Sequence, residues 1–127
     1  MLTPRACLPW LLACSALLCS CDVDLFGWKK VAGGYYLSEW HEGYDGYILF
    51  PPNEAERSIE VKQIGWQKPF IIVHPDSEAD EWIIIDTRTH QRTTISDAQR
   101  LADQNYRKIA VYSAEEAWSR LRRSKQW

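Results

Sequence analysis

Every cysteine of this chain, Cys7, Cys14, Cys19 and Cys21, falls at or before position 21. The long remainder therefore cannot be braced by an internal disulfide, the usual support of small loop-rich domains. It must fold by burying apolar surface. The material for that is aromatic: Trp28, Trp40, Trp66, Trp82, Trp118 and Trp127 all lie beyond the last cysteine, and an aromatic side chain buries roughly 150–250 Å². The length of this part suits one domain and leaves little room for two.

The segment that holds the cysteines has a different character. Arg5 and the amino terminus supply positive charge, and Ala6 to Leu18 form an apolar run broken only by Pro9 and Ser15. This is the layout of a secretory signal. The run is well short of the roughly 20 apolar residues that a spanning helix needs. At its end, Leu18-Cys19-Ser20-Cys21-Asp22 resembles the lipobox of bacterial lipoproteins, with an aliphatic residue at −3 and a small one at −1. Cys14 has the same local pattern but would leave a very short apolar region, and Cys19 has the bulky Leu18 before it. By the resemblance, residues 1–20 are a cleaved signal peptide and Cys21 is the acylated first residue of the mature chain. Two or more acyl chains hold a protein stably on a bilayer. Asp22 then occupies position +2, which in enterobacterial-type lipoproteins retains the protein in the inner membrane.

Residues 21–30 read as the acylated cysteine and a short tether, and 31–127 as a single globular domain. The whole chain carries 17 acidic against 15 basic residues, and Arg5 lies in the segment removed. A mildly acidic mature chain argues against a nucleic-acid partner, which would call for a basic face. Strands are expected over Tyr35–Trp40 and Tyr47–Phe50, joined by the loop His41-Glu42-Gly43-Tyr44-Asp45-Gly46. A third runs from Ser58 to about Trp66; its alternation changes phase at Gln63-Ile64, which predicts a bulge. Phe70-Ile71-Ile72-Val73 and Trp82-Ile83-Ile84-Ile85 are unbroken apolar runs, the pattern of central strands covered on both faces.

Beyond the polar turn Thr89 to Arg92 the signals become helical. Ser96-Asp97-Ala98-Gln99 and Ser113-Ala114-Glu115-Glu116 have the form of capping boxes. Ala98, Leu101 and Ala102 predict one apolar stripe and Ala117, Trp118 and Leu121 another; Ile109 to Tyr112 between them reads as a short edge strand. The expected fold is α+β, an antiparallel sheet of about five strands followed by two C-terminal helices that cover its second face.

No catalytic motif is present, and the reading calls for no cofactor and no metal: His41 with Glu42 and Asp45, or His74 with Asp76, lacks a second histidine at ligand spacing. What stands out is aromatic density around the first hairpin. Tyr44 at the loop tip, with Trp40, His41 and Asp45, is the candidate partner-binding set. Arg120, Arg122, Arg123 and Lys125 form a basic tail, suited to anionic headgroups or envelope polymer. The succession of a lipobox, "YYLSEW", "GYILF", "PFIIVHP", "EWIIIDTRT" and two helices resembles small bacterial lipoproteins, a group without an assigned active site. The anchor, the absence of catalytic motifs and the aromatic hairpin together point to a lipid-anchored, non-enzymatic binding or inhibitory module on the extracytoplasmic side, with a protein or peptidoglycan as partner. Its rivals are an immunity lipoprotein that neutralises a periplasm-acting toxin, and a small glycan-acting enzyme working through carboxylates.

Overall fold

The computed structural model describes residues 28–41, 43 and 45–121. Among them the chain forms an antiparallel meander of seven strands, β1 (Trp28–Ala32), β2 (Tyr35–Trp40), β3 (Gly46–Phe50), β4 (Ile59–Gln67), β5 (Phe70–Pro75), β6 (Glu81–Asp86) and β7 (Gln91–Ser96). Three short helices follow, α1 (Asp97–Ala102), α2 (Gln104–Arg107) and α3 (Ala114–Leu121), and an eighth strand, β8 (Val111–Ser113), lies between α2 and α3. The α+β class is as expected, but the sheet is larger than five strands. The additions are β1, which takes up Trp28, Lys29 and Lys30 from the stretch read as tether, and the polar edge strand β7.

Turn chemistry fixes the first hairpin. Gly33 and Gly34 both have positive φ, 54° and 86°, the requirement of a tight two-residue turn that only glycine meets without strain. β4 is the pivot of the sheet. Its first residues pair with β3 (Leu49 opposite Ile59) and its later ones pair on β8 (Gly65 opposite Val111). Between them the register against β5 shifts from Val61 to Gln63, where the phase change in the sequence predicts a bulge. A bulge of this kind bends the strand, and the two ends of the meander approach each other. A Cβ on Gly33 in the β1–β2 turn would lie 2.6 Å from Thr87 Cβ at the end of β6.

The enclosed face holds the main core, including Val31, Tyr35, Leu37, Leu49, Ile64, Ile71, Val73 and Ile85. α3 closes it with Ala114, Ala117, Trp118 and Leu121, the stripe read from the sequence. Ser113 Oγ accepts the Glu116 amide at 3.2 Å to start that helix, and Trp118 packs on Tyr47 with Lys29 Nζ 4.7 Å from its ring centre.

β5 and β6 are covered on their outer face as well. Ile72, Trp82 and Ile84 form a second buried cluster with Ile109, flanked by Tyr106 and Phe70. The cover comes from α2 and the residues after it rather than from an apolar stripe on α1. That helix buries no residue, and Leu101 is exposed. Its role is polar: the capping box at Ser96 is complete, and Asp97 accepts the Trp82 indole N–H at 3.0 Å while Arg100 lies over the same ring.

Candidate functional site

Pleating of β1–β3 sends Tyr35, Leu37 and Leu49 into the core and the alternate residues outward. The outward set is aromatic. Trp28 stacks on Phe50, with ring centres 5.7 Å apart and planes 14° apart. Tyr36 lies 6.4 Å from Trp28, and Trp40 lies 6.4 Å from Phe50. Register explains the contacts: Tyr36 is opposite Phe50, and Ser38 is opposite both Trp28 and Ile48. Ser38 is buried beneath this row at 3 % exposure, whereas Trp28 is 46 % exposed. Among the described residues no helix lies over this face.

Phe50 also lines an open groove of about 340 Å³, continued by Pro51, Pro52, Asn53, Glu54, Glu56 and Ser58. On the other flank of the same loop a groove of about 440 Å³ is lined by residues that include Ser58, Glu60, Asp76 and Arg92. Aromatic face and loop thus form one continuous surface.

The loop is latched by Glu56. Its carboxylate accepts the Tyr35 hydroxyl at 2.7 Å, an Arg92 N–H at 3.3 Å and an Asn53 amide N–H at 3.3 Å. His90 Nδ1 lies 3.2 Å from the Tyr35 oxygen, on a turn residue with φ of 61°. Burial pushes the Tyr35 phenol well up, and its bond to Glu56 adds to the shift. For Glu56, burial acts upward but is outweighed by the Tyr35 and Asn53 hydrogen bonds and by Arg92 and His90, so its carboxyl is held below the ordinary value. A general acid needs the opposite shift, so Glu56 is built as a brace, not a proton donor. The brace joins residues 55 positions apart, and no local pattern in the sequence marks it.

The residues singled out from the sequence separate. Trp40 belongs to the aromatic face. His41 is exposed at the hairpin end, 3.3 Å from Glu39 and 3.6 Å from Asp45. Tyr44, Cys21, Asp22, Arg122, Arg123 and Lys125 lie outside the described residues. Arg120 pairs with Glu116 at 3.2 Å and stacks over Tyr112, so it is engaged on its own helix and on β8. His74 packs edge-on against Trp82, with Nδ1 2.8 Å from the Pro75 carbonyl. Among the described residues no three His, Cys, Asp or Glu side chains are grouped to hold a metal, and no helix is long and apolar enough to cross a membrane. Sequence reasoning missed Trp28, Tyr36 and Phe50 as a unit. The available signal was the period-2 alternation of Tyr36, Ser38 and Trp40 against Ile48 and Phe50. No family model, curated protein or solved structure matches the chain.

Proposed function

We propose that the chain is a non-enzymatic binding or inhibitory module, held on the extracytoplasmic side of a bacterial membrane by acylated Cys21. Asp22 directs it to the inner membrane. It engages a protein or envelope polymer through the outer face of its first three strands. The observation that supports this reading is the aromatic row of Trp28, Tyr36, Trp40 and Phe50, over which no helix lies among the described residues, running into the loop groove. Aromatic side chains on a rigid sheet give large contact area at little entropic cost, and Trp and Tyr dominate binding hot spots. Among the described residues no helix covers the face, and the Glu56 carboxylate beside it is spent on bracing the loop through Tyr35, Arg92 and Asn53.

The anchor is tested by mass analysis of the protein from its host: acylation at Cys21 is expected, and its loss in Cys21→Ser should release the protein from membranes. The binding surface is tested by capture from an envelope extract. Wild type should retain a partner that Trp28→Ala loses, whereas equal retention by the two would reject the face.

A further inference from the structure

Resting on that reading, we infer that the aromatic face takes an uncharged glycan chain, its sugar rings lying on Trp28 and Phe50 and its hydroxyl groups reaching the Asn53–Ser58 side of the groove. Three observations lead there. The outward positions of β2 and β3 are Tyr36, Ser38, Trp40, Gly46, Ile48 and Phe50, with no charge among them. The nearest charges are mixed, with Lys30 opposite Tyr36 on one side and, on the other, Glu60 opposite Ile48 and Glu54 and Glu56 in the groove. An anionic headgroup surface would meet those carboxylates unfavourably and a strongly basic chain would meet Lys30, so complementarity selects a neutral ligand.

The second observation is shape. Protein hot spots insert anchors into well-packed, desolvated pockets; here the rings form a row beside an open groove. Trp28, 46 % exposed although stacked on Phe50, leaves ring surface of the kind that draws the partly positive C–H face of a saturated ring. Third, the groove that starts at Phe50 supplies planar and hydroxyl hydrogen-bonding groups next to that surface. The Glu54 carboxylate and the Ser58 hydroxyl have no partner among the described residues, and both line the groove. A ligand that is apolar on its ring faces and rich in hydroxyl groups at its edges matches this sequence of surfaces.

The test uses the chain as its host processes it, in a detergent without a sugar headgroup, titrated with the β-1,4-linked hexamer of N-acetylglucosamine and followed by tryptophan fluorescence. A saturable change is expected for wild type, weakened about tenfold or more in Trp28→Ala and in Phe50→Ala, and less in Glu54→Gln. Leu101→Ser, on the exposed side of α1, should leave it unchanged. Because Phe50→Ala touches a strand, circular dichroism accompanies each variant, and Trp28→Ala alone decides if Phe50→Ala unfolds. Absence of a saturable change with the hexamer, together with no retention on protein-free envelope glycan, overturns the glycan assignment. If a protein is then captured through Trp28, the binding face stands and only its ligand class was wrong. If Trp28→Ala alters neither glycan nor protein capture, the face itself is rejected.

Discussion

The sheet has two outer faces, and they are finished differently. On β5–β7, Ile72, Trp82 and Ile84 are buried beneath the α1–α2 stretch, and even the Trp82 indole N–H has its acceptor in Asp97. On β1–β3, Trp28, Tyr36, Trp40 and Phe50 touch one another with no described element above them. A tryptophan in the first setting works for stability; one in the second leaves ring surface for contact with something else. The difference lies in coverage, since both faces are rich in large apolar side chains.

Substitutions break or sharpen this contrast in a graded way. The largest effect is expected for Trp82→Ala, which empties a covered site 3 % exposed and strands the Asp97 and Arg100 contacts; it should cost about 3–5 kcal/mol, measured by denaturant unfolding. Next is Gly65→Ala on β4. Its Cβ would fall 2.4 Å from the Ala110 carbonyl oxygen, backbone that cannot swing aside, so a loss of about 1–3 kcal/mol is expected from the forced shift of the β8 lead-in.

Glu56→Gln tests the brace between the two ends of the meander. Because the folded-state pKa of Glu56 is depressed, its contribution is present above the ordinary carboxylate value of about 4.3 and fades as pH falls through the lower folded value. The variant should therefore lose stability at neutral pH, by about 1–3 kcal/mol. Its disadvantage against wild type should shrink in acid, in unfolding curves at pH 7 and at pH 3. The smallest effect on folding is expected for Trp28→Ala, about 1 kcal/mol or less at so exposed a position. If Trp28→Ala instead destabilised as much as Trp82→Ala, the uncovered face would be a structural element and its assignment to binding would fall.

The sheet's interior strands were legible because alternation and two-sided apolar runs report burial directly: β2 spans Tyr35–Trp40 as expected, and Ile71 to Val73 are buried throughout. The starts of α1 and α3 were legible for the same local reason, since a capping serine acts within three residues; α2, a single turn capped by Asp103, is a third helix where two were expected. β1 and β7 were not. Trp28-Lys29-Lys30 carries two cations and no clean alternation, and Gln91 to Ser96 offers one aliphatic residue, Ile95; both are edge strands held by partners rather than by their own pattern. The apolar stripe expected on α1 failed because six residues make too short a helix to require a buried face, and its side chains serve Trp82 through polar contacts instead.

By itself the sequence determined that no disulfide braces the domain and that antiparallel strands come first and helices last. Those properties depend on residue type and on spacing over a few positions. It did not show that the buried core is mainly aliphatic, with Tyr35, Trp82 and Trp118 the aromatic residues in it. Only the tertiary structure decided which aromatic residues are core and which form an open face. It likewise brought Tyr35, Glu56, His90 and Arg92 to one point. Alternation says which side of a strand a residue occupies, but whether that side is covered depends on where a distant segment, here the stretch from Asp97 to Ile109, comes to rest.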